Sequence, residues 1–428
     1  MTKKEFKSAM LCGLGRAVTA VIEEPEKYRS LVLWACNKNI SYDAQCEGTR
    51  ASYVYKMASC YPDKETFISA AAEALNKYRS NSSWDLLHLC ELLSCFASDG
   101  YDSARKALRD KYNQLLADMQ RRNRRPNRIF YEMGDLEQMG IVLAENRKAF
   151  LKIVKDFGRL YRSKKYMIDG EFPWFFTSKC AQYKRTLEKA ARYDEDVACF
   201  LKREQAGEEI RNSGGTPPHE KSDYMLHRQI AKNADDKTLK EYAQKYRDEV
   251  RPELRAKALE VFIWSLYPDD PQPIINDTQS SCDTLRKTAW WALEKLRHPA
   301  VRSFALTNAA SGINTAENFS LLITNYTPKD ANLIEKILRE IISKENNDDI
   351  HAAGMDVLRA FYKGSGIPHP KHLLPYIYQS TPCSCCRESI VACMARHRML
   401  TDEILKECLY DSGFEIRSYA EKKLKQKK

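Results

Sequence analysis

Helix-period apolar spacing follows helix-period spacing almost from one end of this 428-residue chain to the other, and alternating strand patterns are hard to find. In "EKYRSLVLWACNKN", Leu31, Val32, Trp34 and Ala35 fall on one helical face, and "CEGTRASYVYKMASCY" follows with Tyr53, Val54, Met57 and Cys60. "DKETFISAAAEALNKY" and "SSWDLLHLCELLSCFA" continue the series, with Asp63 and Ser82 or Ser83 expected as N-caps. Helix pairs of this size bury their apolar faces only by stacking on neighbours. Sixteen glycines and sixteen prolines, with 43% apolar residues, agree with a well-folded helical chain.

A second regularity sits at the turns. "LYDSGFEIRSYAEKKL" places Asp411 six residues before Arg417, and "SDGYDSARKALRDKY" places Asp99 six before Arg105, each with a turn before and a helix after. Looser versions pair Asp248 with Arg255, Asp283 with Arg286 and Asp43 with Arg50; Arg302 has no such acid, and Thr381 stands six before Arg387. The acid is expected to face the helix N-terminus. The arginine is expected to reach the acid of a neighbouring hairpin, as a ladder that fixes stacking.

These stretches, with "LRKTAWWALEKLRHPAVRSFAL" (285–306), resemble HEAT or armadillo-type helical repeats. The resemblance implies an all-α, right-handed α-α superhelix (a HEAT/ARM-like solenoid) of stacked helical hairpins, used as a scaffold or partner-binding surface. Asp99 with Arg105 and Asp411 with Arg417 are the structural ladder carried over. "REQAGEEIRNSGGTPPHEKSDY" gathers Gly214, Gly215, Pro217 and Pro218, so the expected organisation is residues 1–204, a linker or long loop over 205–222, and a second repeat region over 223–428.

Charge is concentrated. Residues 105–165 hold 17 Lys and Arg against 7 Asp and Glu, a net of +10, against +11 for the whole chain. "RRNRRPNR" sets Arg121, Arg122, Arg124, Arg125 and Arg128 within eight positions. From Gly134 to Tyr166 the pattern reads as one long amphipathic helix. Leu136, Met139, Leu143, Phe150, Ile153, Phe157 and Leu160 form its apolar stripe, broken only at Asn146. Lys148, Lys152, Lys155, Arg159 and Arg162 form a basic stripe about 200° away. Such a stripe is a solvated face or a groove for phosphates; an acidic protein or an anionic membrane surface would also fit it. Phe130, Tyr131, Tyr161, Tyr166, Trp174 and Phe175 would stack on bases or fill a core.

"TPCSCCRESIVACMARH" offers Cys383, Cys385, Cys386, Cys393 and His397, zinc-ligand types whose spacing is not a paired C-x2-C knuckle; reduced structural cysteines are the favoured reading and no metal is assigned. Asp43, Gln45, Glu47, Arg50 and Arg16 are read as caps and bridges rather than a ligand pocket. Gly13 and Gly15 in "GLGR" lack the strand and remaining glycines of a dinucleotide fingerprint. Trp84 and Asp85 in "SSWDLL" are too little to carry base chemistry over from helical-repeat DNA glycosylases. Hydrolase motifs are absent and the eight histidines are dispersed.

The expectation is a non-catalytic scaffold with a protein partner, or second, a nucleic-acid-binding protein using residues 121–165. No cofactor or small-molecule substrate is identified. Fourteen cysteines, too dilute for a disulfide scaffold, suggest a cytoplasmic setting. No run approaches the roughly 18 apolar residues of a membrane span, and the first residues read as an ordinary helix rather than a signal segment.

Overall fold

The computed structural model describes residues 1–78, 83–121, 136, 139–140, 143–162, 177–212 and 223–426. Among them lie 25 α-helices and no strand, so the chain is all-α. No helix among the described residues is long and apolar enough to cross a membrane.

The first helices are α1 (Lys3–Cys12), α2 (Gly15–Glu23), α3 (Pro25–Ala35), α4 (Ala44–Glu47), α5 (Ala51–Ala58), α6 (Lys64–Lys77), α7 (Ser83–Ser98) and α8 (Asp102–Arg121). Then come α9 (Arg147–Arg162), α10 (Thr177–Gln182), α11 (Lys184–Ala191), α12 (Glu195–Asn212), α13 (Asp223–Asn233), α14 (Asp236–Asp248), α15 (Pro252–Leu259) and α16 (Gln272–Asp277). The last are α17 (Asp283–Leu293), α18 (Pro299–Ala310), α19 (Ala316–Thr324), α20 (Ala331–Ser343), α21 (Asn347–Arg359), α22 (Leu374–Ser380), α23 (Ser384–Arg396), α24 (Asp402–Cys408) and α25 (Phe414–Gln426).

Local chemistry sets many of these boundaries. Thr2 and Glu5 close a capping box on α1, which ends at Gly13 in the left-handed region (φ 75°). Proline opens α3, α15 and α18 at positions where no N–H is needed. Asp63 takes the N-cap position of α6, but its carboxylate turns to Arg29 and to the Thr66 hydroxyl (2.9 Å) instead of the helix N–H groups. Ser83 is the first residue of α7, and Ser82 lies outside the described residues.

The chain divides into two compact units, Met1–Pro217 with Lys406–Arg417, and Pro218–Leu405 with Ser418–Lys428. Helix α12 runs on to Asn212, so residues 205–212 of the expected linker are helical; 213–222 lie outside the described residues. Lys406–Arg417 belongs to the first unit for visible reasons. Glu407 takes both Arg16 nitrogens (2.7 and 2.9 Å), and Ser412 N donates to Gly13 O at 2.8 Å. "GLGR" is thus a helix stop followed by a packing contact.

In each unit, helices adjacent in sequence pair as hairpins. In the second unit α15, α17, α19, α21 and α23 also touch in succession and form a layer; in the first, α5 packs on α7, α6 on α8 and α9 on α12.

The arginines at the hairpin turns share a role in addition to the expected ladder. Arg417 Nη1 donates to the carbonyls of Asp411 and Ser412, each at 2.7 Å, while the Asp411 carboxylate, fully buried, accepts from Gly413 N. Arg387 reaches Thr381 O (3.2 Å), Arg286 reaches Ser280 O (3.1 Å), and Arg255 reaches Tyr246 O (3.0 Å) and Glu249 O (3.4 Å). Four of these arginines therefore serve a carbonyl six residues back, whatever side chain stands there. The end of a helix leaves carbonyls without partners, and a guanidinium from the following helix supplies the donors. Arg105 does the same for Ala97 O at 3.0 Å, and Asp99 instead accepts from the Tyr55 hydroxyl.

Acids further along the chain complete the ladder in part. Arg105 Nε meets Glu145 (2.5 Å), Arg255 Nε meets Asp277 (2.7 Å) and Arg302 meets Asp330 (2.7 Å). Arg286 pairs with Asp283 of its own helix, contrary to expectation, because three residues bring the two onto one face.

Candidate functional site

The basic segment lies in the first unit. Arg121 ends α8, and Arg122, Arg124, Arg125 and Arg128 lie outside the described residues, as do Phe130, Tyr131, Tyr166, Trp174 and Phe175. The expected single long helix is interrupted: residues 144–146 are not helical, and the Asn146 side chain accepts from Ala149 N at 3.0 Å to start α9. Asn146, the one break in the apolar stripe, is the N-cap that restarts the helix. Beyond it Phe150, Ile153, Phe157 and Leu160 are buried as the stripe requires.

The basic stripe is partly neutralised from within. Lys155 pairs with Asp194 (2.5 Å), Arg159 with Asp196 (3.4 Å), and Arg162 with Glu195 and Asp196 (3.0 Å each), all from the start of α12. That acidic turn explains how a self-repelling stripe is tolerated. Lys148 and Lys152 are exposed. Tyr161 is core, stacked on Phe200 with the Arg203 guanidinium 4.7 Å from its ring.

Other sequence candidates are structural. Arg50 is buried with Glu47 (2.8 Å), and Asp43 accepts from Gln45 N and Cys46 N. Asp85 accepts from Asn39 N at 2.9 Å, which ties a loop to α7.

A polar cluster that the sequence reading did not single out lies in the second unit, on α17, α19 and α21. Arg359 Nη2 donates to Thr324 Oγ1 (2.9 Å) and Ser320 Oγ (3.1 Å) and pairs with Asp356 (3.1 Å); its buried Nε has no partner among the described residues. Thr324 Oγ1 in turn donates to the carbonyl of Glu294 at 2.6 Å. Burial, reinforced by the charge of Asp356, pushes the Glu294 carboxyl up to about 7, and burial pushes Asp356 up to about 6. Burial and Arg359 depress the neighbouring Lys295 ammonium. Lys295 and Arg228 both lie against the Trp264 ring, at 5.2 and 5.0 Å. Trp291, 47% exposed, lies in the last turn of α17, three and four residues before Glu294 and Lys295.

The raised carboxyl has a measurable consequence. Folded Glu294 holds its proton up to about 7, whereas unfolded it releases it near 4.5. The native state then binds more protons in that window, so stability falls as pH rises through it, by on the order of 1–2 kcal/mol after allowance for solvent. Asp356 acts in the same direction, with Arg359 opposing both. Glu294→Gln is expected to flatten the fall. Urea midpoints at about pH 5 and about pH 8 measure it; an unchanged fall in the variant contradicts the assignment.

The thiol stretch is also rearranged relative to expectation. Cys383 and Cys386, at the N-cap and in the first turn of α23, meet His351 of α21. Cys393 is buried elsewhere on α23, Cys385 is exposed, and His397 packs against Phe361 and His369 at 5.1 Å. His351, Met355 and Arg359 recur every four residues in "HAAGMDVLR", a spacing legible beforehand, but only the fold shows which neighbours they face.

Comparison with protein-family models, with curated proteins and with solved structures finds no match.

Proposed function

We propose that this chain is a non-catalytic scaffold of HEAT or armadillo type, a right-handed superhelix of stacked hairpins that binds a protein partner through the α17–α19–α21 face. Successive contact of alternate helices in the second unit supports the architecture. One observation carries the functional reading: Trp291, exposed in the last turn of α17, stands three residues before Glu294, which is half-buried with Asp356 and Arg359 in a network of both charge signs, with Lys295 exposed beside it. An aromatic anchor beside polar groups that can be desolvated is the composition of a protein-binding hot spot. Phosphate recognition would instead call for unpaired cations of one sign. A reducing compartment such as the cytoplasm suits the thiols of α23.

The nucleic-acid alternative rests on the +10 charge of residues 105–165 and on exposed Lys148 and Lys152. Photo-crosslinking from position 291, set against position 152, separates the two. Protein adducts at position 291 are the expected outcome.

A further inference from the structure

His351, Cys383 and Cys386 come together from two helices and a turn, 35 residues separating His351 from Cys386. Nitrogen or sulfur atoms of the three lie within 4.8 Å of one another. His351 Nε2 is 3.1 Å from Cys386 Sγ, and Cys386 Sγ is 3.4 Å from Met355 Sδ, one helical turn beyond His351. Tetrahedral zinc with bonds of about 2.3 Å to sulfur and about 2.0 Å to nitrogen needs ligand atoms roughly 3.3–3.8 Å apart. The cluster is already near that size.

We propose that His351, Cys383 and Cys386 form a zinc site at the seam between α21 and α23. Cys383-x-x-Cys386 supplies two thiolates and His351 a neutral imidazole, so binding one Zn²⁺ releases two thiol protons. Both sulfurs sit at the start of α23, where the helix dipole favours negative charge. Cys383 is buried and fixes the inner side, while His351 and Cys386 are half-buried. Three protein ligands leave the fourth position to water or to an incoming group. The ion would tie two successive helices of the layer without a disulfide.

The test uses the full chain, stripped with a chelator under reducing conditions and titrated with Zn²⁺ against a chromophoric competitor. One equivalent is expected to bind, and Cys383→Ser, Cys386→Ser and His351→Ala are each expected to weaken it by more than about 100-fold, beyond the loss typical of a supporting residue. Cys385→Ser and Cys393→Ser are expected to leave the affinity unchanged. Co²⁺ substitution supplies a readout independent of affinity, since its sulfur-to-metal absorption should fall by half in each single cysteine variant that still binds. Lack of uptake by a protein with intact helical circular dichroism, uptake indifferent to all three changes, or a Cys383–Cys386 disulfide formed in place of metal binding overturns the site.

Discussion

Arg50→Ala is expected to destabilise the first unit by about 3–5 kcal/mol, the cost of leaving a buried carboxylate without its cation. The side chains of Arg50 and Glu47 are 2% and 1% exposed, and their ion pair spans 2.8 Å. Arg50 also donates to the carbonyls of Leu11 and Ile40, so one guanidinium joins the end of α1, the loop before α4 and the start of α5. Glu47 accepts from Tyr42 N at 2.8 Å and Asp43 N at 3.0 Å, which fixes it in place when the arginine is gone. The double change Arg50→Met with Glu47→Gln should cost less than Arg50→Ala alone, because no net charge is then left buried. Guanidinium denaturation with an unchanged m-value gives the comparison. A loss below about 1 kcal/mol for Arg50→Ala would place this pair with ordinary surface bridges.

Gly158→Ala carries the second large effect, and its sign separates two physical arguments. Helix propensity alone favours alanine by about 1 kcal/mol within α9. Packing opposes it: a Cβ at Gly158 would lie 1.8 Å from the Asp196 carbonyl oxygen and 2.5 Å from its carbon. These are backbone atoms at the start of α12 and cannot rotate away. Moving them would also separate Asp194, Glu195 and Asp196 from Lys155, Arg159 and Arg162. The expected loss is about 3 kcal/mol, at the upper end of overpacking costs. Stabilisation by the substitution would contradict the close crossing. Gly15, whose Cβ would meet Glu407 O at 1.9 Å, is under the same constraint.

Period carried the sequence reading a long way, because helical burial repeats every three to four residues and can be counted without knowing the neighbour. The all-α fold and the buried face of α9 follow from it. Asn146 shows its limit. A single polar residue in an apolar stripe reads as a flaw within one helix and is the N-cap of α9. The six-residue interval before Arg417 was visible, yet the receiving atom is a backbone carbonyl, which side-chain patterns do not display. A local charge count likewise does not display the acids that pair with the basic stripe, which stand some 34 residues later, as from Arg162 to Asp196. Glu294, Asp356 and Arg359 were not singled out for a related reason: each is unremarkable in its own segment, and only stacking of α17, α19 and α21 makes them a cluster. Cys383 and Cys386 were noticed, but their partner His351 comes from the preceding helix of the layer and not from the His397 that shares theirs.

The most direct test of the binding role is to place a photo-crosslinking residue at position 291 or position 152 of the full chain and irradiate its native cells. Defined protein adducts from position 291, lost when Arg359→Ala accompanies the probe, with only background adducts from position 152, are the expected result. Nucleic-acid adducts at position 152, with none above background at position 291, would contradict the account and give the function to the basic helix.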